Sequence, residues 1–346
     1  MTELLCIGNP LVDVFIKIDN TLAEKFGITK PSQHISSEQA EAILSEPSID
    51  FANAVKSSGG GAANVAKIAA MLGMSAAFLG CTGQDELAGI FQKDINDAGV
   101  SSMIIRGNEK TGICFVCSVD GALRFAVSPN AALQLNESHI DKELMNGVDV
   151  VVVDGYILER RPLVQHILFL ASSRGIPAAL DAASVFQVYS KAEDILTYSR
   201  SFPLFVFMNA DETIAFYNTV RKTCSGEIPE AEKDKEAIIL RDVCPMLKII
   251  TDGEIYPIIV VKLGSRGALV VAGGNVYREE TFAGIPRNTA GAGDTFCAAF
   301  IAAWIRGKSL SECASFGNKV ARKILEVPGT CIESGKLKSF AKMLQK

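Results

Sequence analysis

Hydrophobic and polar positions along this chain switch repeatedly between two periods. LLCIG (4–8) is a short apolar run that predicts a buried strand. After a glycine cluster, AANVAKIAAMLG (62–73) places its apolar residues at helical spacing. AAFLGCTG (76–83) predicts the next strand and ELAGIFQKDINDAG (86–99) the next helix. VDVVVVDG (148–155), IPAALDA (176–182), LFVFMNA (204–210) and IYPIIVVKLG (255–264) are unbroken apolar runs flanked by turn residues. Runs of this kind suit strands covered on both faces, as in a parallel sheet. Helical patterns such as LVQHILFLASSRG (163–175) fall between them. The chain therefore predicts an α/β fold, with helices covering a mostly parallel sheet.

Two stretches break the rhythm. VDVFIKID (12–19) and the segment 101–127 hold strand patterns with turns and few helix signals. They predict a small β lid, formed by about 12–36 and 101–128, on one domain that spans 1–346. Residues 221–248 mix charges at helical spacing and read as a solvated element, and no internal repeat is visible.

Charge and composition narrow the partners. The 346 residues carry 34 Lys+Arg against 39 Asp+Glu, a net −5 that argues against nucleic acid. A few local cations beside an anionic small molecule remain compatible with that balance. The apolar runs are far shorter than a membrane span, and the first residues lack a basic leader, so a cytoplasmic protein with no membrane partner is expected. Nine Cys in mostly apolar settings read as reduced thiols. Cys114 and Cys117 form a lone C-x-x-C in a strand pattern, where a spacing of three sends the side chains to opposite faces, so packing is expected.

The strongest chemical signal is NTAGAGDTFCAAFIAAWIRG (288–307). Gly291, Ala292 and Gly293 let backbone amides crowd one point at the start of a long apolar helix, which makes an anion cradle. Asp294 stands at its mouth, either as a carboxylate that takes a proton from a hydroxyl or as a helix cap. A second cluster, SSGGGAANVAKIAAMLG (57–73), offers close backbone approach to a ligand, or simply a tight turn into a helix. Asn64 occupies the third glycine position of a dinucleotide fingerprint, which disfavours that reading. A Walker A loop is absent, because Ala302 stands where Gly307-Lys308-Ser309 would need their first glycine. His34, His139 and His166 belong to no triad or metal spacing. Asn209 and Glu212, and Gly264 with Gly267, follow buried strands at ends where open α/β sheets hold ligands.

Together these segments resemble the ribokinase-like (PfkB) family of sugar and nucleoside kinases across essentially the whole chain. The resemblance rests on GNPLVD (8–13), SGGGAAN (58–64), GCTGQDELAG (80–89), PNAAL (129–133), NADE (209–212), VKLGSRG (261–267) and AGAGDTF (290–296), in that order. GNPLVD and TGICFVC (111–117) are similar to adenosine kinases, and PNAAL to ribokinase and general sugar kinases. The resemblance implies a three-layer α/β/α sandwich with a mostly parallel central sheet and a small β lid. It implies ATP-dependent phosphotransfer to the primary hydroxyl of a sugar or ribosyl substrate. Adenosine kinase is the alternative, and a non-catalytic sugar or nucleoside sensor is an alternative of another class.

Residue by residue, the resemblance implies Asp294 as base and Gly291, Ala292 and Gly293 as the hole for the transferring group. Asn9, Asp13, Gly59, Gly60, Asn64 and Arg124 would hold the substrate, with Arg124 reaching the phosphates from the lid. Asn209 and Glu212 would organise Mg²⁺, while Lys262, Gly264, Gly267 and Asn318 would line the nucleotide. Asn288 stands where the family usually has an Asp linked to a monovalent cation, which counts against K⁺ activation. Gly61 replaces a hydroxyl residue common in adenosine kinases, and around His34 the match to the purine-facing segment shifts by one residue. The partner expected is a small-molecule sugar or nucleoside, and a homodimer is compatible with the pattern.

Overall fold

The computed structural model describes residues 2–221, 234–253, 257–281, 291–325 and 334–344. Fourteen strands occur in this part of the chain: β1 Leu4–Ile7, β2 Leu11–Ile18, β3 Ser32–His34, β4 Lys56–Gly59, β5 Ala76–Thr82, β6 Ser101–Arg106, β7 Gly112–Val119, β8 Ala122–Ser128, β9 Val150–Asp154, β10 Ala178–Asp181, β11 Leu204–Asn209, β12 Ile258–Lys262, β13 Ala268–Ala272 and β14 Asn275–Glu279. Nine of them form one sheet in the order β14-β13-β12-β11-β10-β9-β1-β5-β6. From β12 to β6 every neighbour is parallel, and β13 and β14 extend the sheet as antiparallel strands.

The unbroken apolar runs are explained by what covers each face. Along β1 and β9, Leu4, Cys6, Val150 and Val152 pack on one side, with the helices Gly61–Met71, Ala292–Ile305 and Leu310–Leu325. Leu5, Ile7, Val151 and Val153 face the other side, with the helices Arg161–Ser172, Val185–Ser201 and Ala210–Val220. Strand side chains alternate, so a strand buried on both faces must be apolar at every position. The result is the expected three-layer α/β/α sandwich.

The smaller sheet has the order β3-β8-β7-β2-β4. Its composition corrects the expected lid at two points. Ser101–Arg106 pairs parallel with β5 as the outer strand of the large sheet, so the small sheet takes up this part of the chain only from Gly112. The partly exposed residues of β6 reflect its edge position, which imitates a separate β segment in the sequence. Lys56–Gly59, which reads as a turn before a helix, pairs antiparallel with β2 and completes the small sheet. His34 of β3 lies 6.3 Å, centroid to centroid, from the ring of Tyr156, two residues beyond the carboxyl end of β9. The small sheet therefore stands over the carboxyl edge of the large one. Cys114 and Cys117 are buried free thiols in β7; Cys117 packs in the core, whereas Cys114 faces Asp13.

Phe300 is fully buried and touches the rings of Phe205, Phe207 and Phe296 at centroid distances of 6.3, 5.4 and 6.1 Å. Phe300→Ala is expected to cost about 3–5 kcal/mol, read as a lower midpoint in chemical denaturation. An unchanged midpoint would show that this helix does not anchor to the sheet through that ring.

Candidate active site

Parallel strands all end at one edge, and here four neighbouring strands end in polar residues. β9 ends in Asp154, β10 in Asp181, β11 in Asn209 and β12 in Lys262. Lys262 Nζ donates to Asp181 Oδ2 at 2.7 Å. Burial works against its charged form, but Asp181 and Glu212 hold its pKa above the usual lysine range. The same ammonium lies 3.2 Å from where a Cβ on Gly293 would sit, so it faces the first turn of the helix Ala292–Ile305.

That helix opens without a side-chain cap. Gly291 is the N-cap, in the left-handed region at φ 75°, and its carbonyl accepts the first helical bond from the Thr295 amide at 3.0 Å. The preceding amides have no helical partner and carry the positive end of the dipole. Asp294 lies inside the first turn, not at the cap. Its Oδ2 accepts from Asn64 Nδ2 at 2.9 Å across the cleft. Burial, with Asp181 nearby, pushes its carboxyl up to about 7, against the pull of Asn64 and Lys262.

The residues expected to hold substrate converge on the same place, with one exception. Asp13 on β2 lies opposite Ser57, and its carboxylate covers Gly59, where a Cβ would approach within 2.3 Å. Burial raises Asp13 to about 6, while Lys67 pulls the other way. Gly60 has φ 98° and no room for a Cβ, which would lie 2.2 Å from the Asn9 carbonyl. Asn9 is 7% exposed and accepts from Arg160 through its side-chain oxygen. Arg124 is not brought to this group. Its register partner Cys117 lies three positions along β7 from Cys114, the partner of Asp13. Its guanidinium donates to the Ile28 carbonyl at 2.8 Å and to Asn20, so it ties the small sheet to its own connecting loop.

Asn209 and Glu212 form a reciprocal cap on the helix Ala210–Val220. The Asn209 amide donates to Glu212 Oε2 at 2.7 Å, and the Glu212 amide to Asn209 Oδ1 at 2.9 Å. Burial and the Asp181 charge raise Glu212 to about 7. Among the described residues no group of three His, Cys, Asp or Glu is arranged to hold a metal directly. Glu212 and Asn209 are the residues here that could face the waters of a metal ion, with both Glu212 oxygens already accepting from Asn209. Farther along this edge Asn318 Nδ2 donates to the Glu279 carbonyl at 3.2 Å, and a Cβ on Gly267 would fall 2.0 Å from that carbonyl. Gly267 and Asn318 thus share one neighbourhood, with Gly264 opening the same turn. Asn288 lies outside the described residues.

Residues 21–336 match the pfkB family of carbohydrate kinases. The chain belongs to the pfkB carbohydrate kinase family. It is 25% identical to adenosine kinase of Schizophyllum commune over 341 residues, covering 92% of this chain and 94% of the relative. It is 22% identical to 5-dehydro-2-deoxygluconokinase of Bacillus subtilis over 281 residues, 76% of this chain and 79% of the relative. The crystal structure of adenosine kinase from Sinorhizobium meliloti superimposes with a TM-score of 0.80 at 25% identity, covering 99% of this chain and 98% of that one. The pfkB kinase is a phosphotransferase acting on a sugar or nucleoside hydroxyl.

Sequence reasoning missed three polar residues of this pfkB kinase. Asp154 and Asp181 flank Asp294 electrostatically, and the half-buried Arg160 donates to Asn9 and acts on Asp154. The signal was present: VVVVD and AALD both end apolar runs at the carboxyl edge, the rule that singled out Asn209. Arg160 has no comparable signature.

The raised Asp294 carboxyl sets a stability prediction. Its folded pKa of about 7 exceeds the ordinary carboxylate value near ~3.9, so its cost is absent below the latter and complete above pH 7. Asp294→Asn should therefore raise Tm by about 2–4 °C at pH 8 and by less at pH 5. Equal shifts at both pH values would contradict a perturbed carboxyl.

Proposed function

We propose that this chain transfers the γ-phosphoryl group of ATP to the primary hydroxyl of a sugar or ribosyl substrate, with Asp294 as general base. The observation that carries the reading is Asp294 itself. It is a base held by Asn64 at 2.9 Å, beside unpaired helix amides and an ammonium. Asp13 and Asn9 hold the acceptor from the small-sheet side. Its primary hydroxyl attacks the γ-phosphorus in line, its proton passes to Asp294, and the bond to the ADP oxygen breaks. The amides of Gly291, Ala292 and Gly293, with Lys262, face the charge on the transferring group. When bound, Mg²⁺ would neutralise phosphate charge, and Glu212 and Asn209 would hold its waters. The small sheet covers the cleft and keeps water from competing with the acceptor.

Phosphorylation of adenosine is the second reading. It is favoured by adenosine kinases that match this chain over more than nine-tenths of both lengths. An ADP-release screen over adenosine, inosine, ribose and fructose separates the two. Release with adenosine alone selects the second reading, and release with none of them favours a sensor.

Asp294→Asn is expected to lower kcat by at least ~10²-fold and leave ATP binding intact in a titration. Near-normal turnover would remove Asp294 from the base role. Because Asp294 titrates at about 7, it can accept a proton only above that pH, so kcat/KM should climb with pH through 7 and then level. A flat profile between pH 5.5 and 8.5 would contradict the assignment. With Asn288 in place of an acidic residue, turnover should respond weakly to added K⁺, and a strong requirement would count against that expectation.

A further inference from the structure

Among the described residues, Asp154 is the carboxylate at this edge whose second oxygen is both buried and without a hydrogen-bond partner. Its Oδ1 accepts from the Tyr156 amide at 3.0 Å, which fixes the turn Gly155–Glu159. Its Oδ2 is buried and has no hydrogen-bond partner among the described residues, in a side chain only 5% exposed. The Ala62 amide, at the start of the helix Gly61–Met71, also favours the charged form without satisfying that oxygen. A carboxylate oxygen buried without a donor is costly, so a residue that serves only the turn would not need it.

The oxygen lies against the glycine turns beside the site, where a Cβ on Gly8 would meet it at 2.9 Å. A Cβ on Gly61 would lie 3.7 Å from Asp154 Oδ2 and 3.7 Å from Asp294 Oδ1. The space above Gly61 is therefore flanked by the proposed base on one side and the leftover oxygen on the other. A serine at position 61 would carry its hydroxyl into this space, within reach of Asp154, and glycine leaves it open.

We infer that Asp154 is a specificity residue that accepts a hydrogen bond from a second hydroxyl of the acceptor, close to the hydroxyl that is phosphorylated. The inference rests on the kinase reading above and deepens it. The acceptor is a polyhydroxylated sugar or ribosyl compound read from two sides, by Asp13 on the small sheet and by Asp154 beneath. A substrate lacking the second hydroxyl leaves Asp154 buried and unpaired, so it is rejected by loss of binding more than by loss of chemistry.

The test uses the full chain, ATP and whichever of adenosine, ribose or fructose it phosphorylates, together with monodeoxy analogues of that acceptor. Asp154→Asn keeps an oxygen for the Tyr156 amide, so the turn survives. It is expected to raise acceptor KM by about 10- to 100-fold, with a smaller change in kcat and unchanged ATP affinity. One monodeoxy analogue should lose a comparable factor with the unaltered protein and lose nothing further with Asp154→Asn. Transfer by both proteins with equal acceptor KM overturns this inference alone. So does an equal loss for every analogue in both proteins. Absence of transfer to any acceptor by the unaltered protein overturns the kinase reading and this inference with it.

Discussion

The site depends on how negative charge is balanced at the carboxyl edge of the parallel sheet. Asp154, Asp181, Glu212 and Asp294 influence one another there, and Lys262 enters the group as an ammonium paired with Asp181 at 2.7 Å. An unpaired buried charge is too costly to keep, so each carboxyl either finds a cation or gives up part of its charge. Asp181 takes the first course. Asp154, Glu212 and Asp294 take the second, with pKa values raised to about 6, 7 and 7. Lys262 therefore acts on carboxyls from three other segments of the chain, Asp181, Glu212 and Asp294, while Arg160 is the cation that acts on Asp154.

This balance also divides the cleft. Helix amides and Lys262 place positive potential on one side of Asp294, where a phosphoryl group would be stabilised. Carboxylate oxygens lie on the other side, where a hydroxyl finds acceptors. The two reactants of a phosphoryl transfer differ in the same sense, one rich in charge and the other rich in donors. Asn64 holds Asp294 through one carboxylate oxygen, so in the proposed transfer the base would be oriented before either reactant arrives. Close backbone approach completes the geometry. The Asn9 carbonyl can lie against Gly60, and the Asp13 carboxylate against Gly59, only because neither position has a Cβ.

Much of this was legible in the chain. Apolar runs unbroken over four to six residues fixed the buried strands, because only a strand covered on both faces tolerates them. Asp294 and Asn64 stood beside glycine clusters that offered either a ligand site or a plain turn into a helix, and Asp13 entered only through the family resemblance. The failures share a physical cause, since each depended on tertiary neighbours. Ser101–Arg106 carries the half-exposed pattern of an edge strand, which sequence does not separate from a lid strand. Arg124 lies on the expected segment, but the Ile28 carbonyl and Asn20 hold it within the small sheet. Asp154 and Asp181 ended their runs in plain view, yet an acidic residue after a strand is as often a turn former. Their significance appears only when the sheet order, β9-β10-β11-β12, aligns four strand ends on one edge.

A site with carboxyls titrating near neutrality works against the folded state at the pH where the base must be ionised. The fold tolerates this because the cost is confined to one edge. On either face of the large sheet the apolar layers are continuous, with alternate residues of β1 and β9 committed to opposite cores. Burial in those layers is insensitive to pH, whereas the edge carboxyls respond to it strongly. Acceptor hydroxyls and bound nucleotide would supply the missing donors and cations, so substrate binding stabilises the region that the apo protein leaves least satisfied. Affinity for the acceptor and the cost carried by this edge would thus share one source, the buried Asp154 oxygen that has no partner among the described residues.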